Sequence, residues 1–294
     1  MLWIFLALLA PLLWAISNLI DGDLVLNRIK NPLVIMTVTG LFSVFPFLFI
    51  ILTNTFSWPR LSVILFGVLT GFVSLLAFYP YFRALENSHP TSALLLWNVS
   101  PVITAVAAFV FLNERLSPYQ YLAVLLLIGS AIIAGISSGT NTNTKKKQSN
   151  VGWMLLASLL TATQAIMSKW LFGQTSTGTG VGLISLGSFG LSASFFLIPS
   201  IRKQIPDAFS KHSKILILNE TLSMFAFVCS SFAIGLGSVS LVKAIEGVQA
   251  FFVFGFSWIA ARIFSRKQFR IAESPKAGLT ILACVIAVVG LMLI

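Results

Sequence analysis

Predominantly apolar stretches of roughly 20 residues recur ten times along this chain, and an α-helix of that length crosses about 30 Å of hydrocarbon. The stretches start near Leu2, Leu33, Leu61, Thr91, Tyr121, Val151, Val181, Ile215, Val239 and Ala277. Most breaks between them are short. The exception runs from Ser137 to Asn150, SSGTNTNTKKKQSN, which has no apolar periodicity and reads as a flexible linker. Backbone polar groups in lipid must pair within the protein. Continuous runs therefore predict helices, whereas a barrel needs short alternating strands. The pattern predicts an all-α membrane protein of ten transmembrane helices, arranged as two inverted five-helix repeats. The first repeat covers 1–137, the linker 138–150 and the second repeat 151–294. Five is odd, so the second repeat enters the membrane from the opposite side. Many secondary transporters are built this way, with the binding site near the midplane between the halves.

Composition agrees. Of 294 residues, 57% are hydrophobic and 9% charged, with a mean hydropathy of +0.96. A soluble domain carries about 25% charged residues. The net charge of +11 raises the question of nucleic acid, but the basic residues sit in the breaks, where they set orientation. The breaks after runs one, three, five, seven and nine hold fifteen Lys and Arg; the opposite side has Arg60 and Arg115. This bias puts the Lys145–Lys147 linker in the cytoplasm and both termini outside. The first run lacks a basic leader and reads as a membrane helix, not a cleaved signal. Cys229 and Cys284 lie within runs and predict neither disulfide nor metal site. There is no P-loop, HExxH or GxSxG pattern. His89 and His212 are expected in solvated loops. No enzyme activity, cofactor, metal or nucleic-acid partner is expected.

Ionisable groups at membrane depth are costly and mark functional sites. Glu246, with Lys243 three residues earlier, presents a charged pair on one helix face. The pair reads either as a structural tie or as the polar wall of a central cavity. Glu220, beside Asn219, is a second buried acid, able to serve a site or to bond across a helix interface. Trp97 and Asn98 occupy the equivalent depth in run four, just before Pro101, which frees a backbone carbonyl. Trp14 and Asn18 share a face of the first helix, and Gln164 is their approximate counterpart in run six. Phe78, Tyr79 and Tyr81 are candidate pathway aromatics. Trp3, Trp58 and Trp153 read as interfacial anchors, Lys169 as a snorkelling lysine, and Asp21 and Asp23 as solvated residues at the membrane edge. The expected substrate-binding set is Trp14, Asn18, Tyr79, Trp97, Asn98, Gln164, Glu220, Lys243 and Glu246.

The segment Tyr79 to Gly135, YPYFRALENSHPTSALLLWNVSPVITAVAAFVFLNERLSPYQYLAVLLLIGSAIIAG, carries a small residue after an aromatic (Ala84), a polar bend and a mid-helix Pro101. The turn Asn113-Glu114-Arg115 follows. It resembles the drug/metabolite transporter superfamily, specifically the EamA group of ten-helix proteins. LALLAPLLWAISNLID (Leu6 to Asp21) is similar to that family's first helix; the second half lacks the equivalents of Pro101 and of the Glu-Arg turn. The resemblance implies export of small metabolites and both termini in the cytoplasm, opposite to the orientation the charge bias predicts.

The expected function is a secondary transporter, an exporter in a bacterial inner membrane, moving small polar or amphipathic metabolites such as amino acids by alternating access. Its partners are that small-molecule substrate and membrane lipids, and it acts as a monomer or homodimer. Proton coupling through Glu246 or Glu220 and facilitated diffusion fit equally. The alternative is a flippase for a lipid-linked sugar or similar amphiphile, which requires a lateral opening to the bilayer.

Overall fold

A computed structural model describes residues 1–53, 55–86, 97, 99–137, 144–264 and 277–294. The described residues form helices joined by short connections, without strands. Helix α1 (Leu2–Asp23) continues into a π-turn, Leu24–Arg28. It is followed by α2 (Pro32–Phe42), α3 (Val44–Leu52), α4 (Leu61–Leu85), α5 (Val99–Leu112) and α6 (Pro118–Ser137). The second half holds α7 (Thr144–Gln174), α8 (Thr177–Ser194), α9 (Pro199–Leu236), α10 (Val239–Glu246), α11 (Gln249–Phe264) and α12 (Ala277–Met292). Six of the expected spans are long and apolar enough to cross a membrane: 2–28, 32–52, 61–85, 151–174, 177–197 and 199–236. The shorter apolar helices 99–112, 118–130 and 282–292, and the broken segment 239–264, complete the ten.

Local sequence explains the starts and breaks. Asn31 caps α2 by accepting from the Leu33 N–H, with Pro32 at the first helical position. Ser176 and Ser238 cap α8 and α10 in the same way. The second span breaks at Ser43, because the Pro46 ring lacks an N–H and would collide with the Phe42 carbonyl of a continuous helix. The ninth span breaks at Gly247–Val248, directly after Glu246.

Three expectations need correction. The linker 138–150 is helical from Thr144, where α7 starts. Lys and Gln are good helix formers, and extending an existing helix needs no new nucleus. The expected loop between runs seven and eight is also helical, as the first part of α9. There Ile201, Ile205 and Ala208 are buried while Arg202, Lys203 and Lys211 are exposed, an amphipathic stretch. His212 sits at the break that follows it, with φ −133° and ψ 17°, and not in a loop. His89 lies outside the described residues.

Helix packing has the signature of a pseudo-two-fold. Helix α1 packs on α9 and α4 on α7; α2 packs on α9 and α4 on α8; α1 packs on α10 and α11, and α5 on α7. Exchanging each span for the one five places on turns the first member of each pairing into the second. The pairings α2–α8, α6–α12 and α5–α10 map onto themselves. Two apolar clusters close the ends. One joins Leu24, Ile35, Phe82, Leu85, Met154 and Ile201 on the side carrying Arg28 and Arg83. The other joins Ala7, Leu127, Ala165, Ile234 and Leu241 on the opposite side. The halves are pinned where α4 meets α8. A Cβ on Gly71 would lie 2.1 Å from the Ile184 carbonyl oxygen, and one on Gly187 would lie 2.2 Å from that of Val68. Only glycine permits this backbone-to-backbone approach. Ser188 and Ser192 reinforce it by donating to the carbonyls of Gly71 and Thr37.

Candidate functional site

Between the two apolar clusters lies a cavity of about 150 Å³. Both halves line it: α1 to α5 from the first, α7 to α11 from the second. Trp14, Asn18, Trp97, Gln164, Glu220, Lys243 and Glu246 all face this one space. Asn98 lies outside the described residues. Tyr79 is the exception in the expected set and is corrected here. It does not line the cavity, and its ring meets Trp153 edge-on with centroids 5.9 Å apart. Tyr81 does line it, as do Ser74, Ala77 and Phe78. These four fall at helical spacing on one face of α4, whereas residues two apart point to opposite sides. That periodicity is the signal that separates Tyr81 from Tyr79.

The charged pair on α10 is compact. Lys243 Nζ donates to Glu246 Oε2 at 2.7 Å, and Ser230 on α9 donates to Glu246 Oε1. Lys243 and Glu246 are 5% and 7% exposed. The ammonium also lies 5.8 Å from the Trp14 ring centroid, on its face. Glu246 closes α10 immediately before the Gly247 break.

A second polar network joins α1, α2, α4 and α9. Asn219 Nδ2 donates to Asp21 Oδ1 at 2.8 Å and Ser17 Oγ donates to Asn219 Oδ1 at 2.8 Å. Ser17 and Ser223 hydroxyls are 2.6 Å apart. Tyr81 OH contacts Asn18 Oδ1 at 3.0 Å and Asp21 Oδ2 at 3.3 Å. On the cavity wall Thr39 Oγ1 donates to Glu220 Oε1 at 3.1 Å. Asp21 is therefore no solvated edge residue. It is 4% exposed, because α1 does not end there but continues through the π-turn under the apolar end cluster. Asp23, one π-turn earlier, does bond Arg28 and Asn27 near the surface. The spacing of Ser17, Asn18 and Asp21, three and four apart, marks one face of α1. Reading Asp21 as a solvated residue at the membrane edge hid that signal.

Other polar residues resolve into structural roles. Lys169 does not snorkel: its Nζ donates to the Ile234 and Gly237 carbonyls at 2.9 and 2.6 Å, tying α7 to the end of α9. Gln164 Nε2 donates to Ser168 while lining the cavity. Trp153 packs beside Arg83 and Trp3 against Gly237, while Trp58 is exposed.

Comparison with known proteins locates the chain. Residues 1–136 match the model of the EamA-like transporter family. An uncharacterised transporter of Bacillus subtilis (strain 168), YxxF, is 26% identical over 142 residues, 46% of this chain and 45% of its own. The match thus spans about half the length of that relative. A solved crystal structure of another protein superposes with a TM-score of 0.69, over 99% of this chain and 94% of its own. It shares 17% identity, and the likeness is one of fold. The motifs around Pro101 and Asn113-Glu114-Arg115, the helical membrane fold and the family match agree over the first half: residues 1–136 are similar to the EamA-like transporter family.

Proposed function

We propose that this multi-pass membrane protein is a secondary transporter that exports small polar or amphipathic metabolites. The observation that carries the reading is convergence. Seven polar or aromatic side chains, from helices far apart in sequence, line one cavity between two halves, with an apolar cluster beyond each end. In an inverted-repeat protein that is the place where a substrate is held while one half rocks against the other. The moving units are 1–137 and 151–294. The protein sits in a bacterial inner membrane with its Lys- and Arg-rich side in the cytoplasm and both termini outside.

The test is efflux from proteoliposomes loaded with mixed labelled metabolites. Release of one class by the wild-type protein, lost on Glu246→Gln in a folded variant, is the expected result. Equal leakage through wild-type and empty vesicles overturns the reading. A reporter fused after Ile294 that works only in the cytoplasm overturns the orientation.

A further inference from the structure

We infer that the cavity takes a small organic ammonium cation with a ring-sized apolar body, its ammonium held at Glu220; this rests on the transporter reading above and narrows its substrate class.

Charge is the first ground. Among the described residues Lys243 is the one basic side chain lining the cavity, and it is already bound to Glu246, whose other oxygen accepts from Ser230. Glu220 also lines the cavity and is 2% exposed, yet no Lys or Arg pairs with it among the described residues. Asp21 lies behind it, likewise without a cation, joined through Asn219. The space therefore carries an excess of acid. An anion finds no free cation, only neutral donors such as the Ser100 and Ser185 hydroxyls. A zwitterion that sought a cation for its carboxylate would draw Lys243 away from Glu246 and leave a buried carboxylate unpaired, which is strongly unfavourable. A cation needs neither.

The second ground is independent of the acids. Ser100 and Ser185 line the same cavity, are each 1% exposed, and their hydroxyls have no hydrogen-bond partner. Buried polar groups are normally paired, so unfilled hydroxyls on a cavity wall point to a ligand. Their oxygens accept N–H groups, as an ammonium offers. Trp14, Trp97 and Tyr81 add rings to the wall that favour cations and flat apolar bodies. A cavity of about 150 Å³ is the size that holds a benzene ring.

Four probes with the same ring decide the matter: phenethylamine, 2-phenylethanol, phenylacetate and phenylalanine, titrated calorimetrically into the purified full chain in micelles. Phenethylamine should bind at least tenfold tighter than each of the other three. Glu220→Gln should lose at least tenfold for the amine and little for the alcohol, with its helical circular dichroism intact. Should that variant not fold, Ser185→Ala replaces it, with an expected threefold or greater loss for the amine alone. The inference is overturned if folded wild-type protein does not bind the amine, if phenylalanine or phenylacetate binds tighter, or if the variant used leaves amine affinity unchanged. Uptake into proteoliposomes separates the two readings. Phenylalanine uptake without amine binding overturns the cation site and leaves the transporter. Amine binding without movement of any probe overturns the transporter and leaves the site.

Discussion

The α1–α9 and α4–α7 contacts are equivalent under the pseudo-two-fold, but their chemistry is opposite. Between α1 and α9 the contacts are hydroxyl, amide and carboxylate: Ser17 to Asn219 and Ser223, and Asp21 to Asn219. Between α4 and α7 they are rings, with Phe66 on Trp170 at 4.4 Å between centroids and Tyr79 on Trp153. Geometry was duplicated and side chains were not. Packing of rings holds two helices together in lipid without specifying a charge. A buried polar network holds them only while each member keeps its partner. The polar contact borders the cavity and the aromatic one supports it from outside, so loss of function and loss of stability separate along this line.

The largest effect is expected at the centre of the polar contact. Asn219→Leu removes a donor to Asp21 and an acceptor from Ser17, and should cost about 3 kcal/mol in denaturant unfolding, with transport lost. Unchanged stability would make the network incidental. Glu246→Gln keeps the shape but only one of the two acceptor oxygens and removes the charge beside Lys243, so transport in the folded fraction should fall about tenfold or more, roughly 1.4 kcal/mol of lost transition-state or substrate interaction. Lys243→Ala with Glu246→Ala then tests whether the pair is only a tie, since full transport in that double variant refutes a substrate role. On the aromatic side, Trp153→Ala should cost about 2 kcal/mol through lost packing and ring contact, while vesicle transport stays within about twofold of wild type in the fraction that folds. A transport loss as large as that of Glu246→Gln would erase the contrast. The smallest effect is expected at Ser192→Ala, about 0.6 kcal/mol, the usual worth of a hydrogen bond between membrane helices.

The sequence made the α10 pair and the α1 face at Trp14 and Asn18 legible because each lies within one helix, where three- and four-residue spacing fixes a common side. The Asp21 network was not legible. Its members come from α1, α4 and α9, and no local pattern tells that Tyr81 and Asn219 approach one carboxylate. Hydropathy also misplaced ends. It closed run one before Asp21, where the π-turn keeps the chain packed, and it read Arg202 to Lys214 as a loop because charge outweighs an apolar stripe of Ile201, Ile205 and Ala208. The ten-span count survived because each span's average apolarity is insensitive to breaks such as those at Ser43 and Gly247.

The meeting of Gly71 with Gly187 has a mechanical consequence. Two backbones in direct contact have no side chains between them to change rotamer, so the junction cannot absorb motion by repacking. It has little slack along the helix axes either, since a shift of about one turn would bring Val68 or Ile184, three residues from each glycine, with their Cβ atoms to the contact. What remains is rotation about the point of contact. If the two halves rock as proposed, the α4–α8 crossing would be their bearing, and a methyl group added at either glycine would act as a wedge in it.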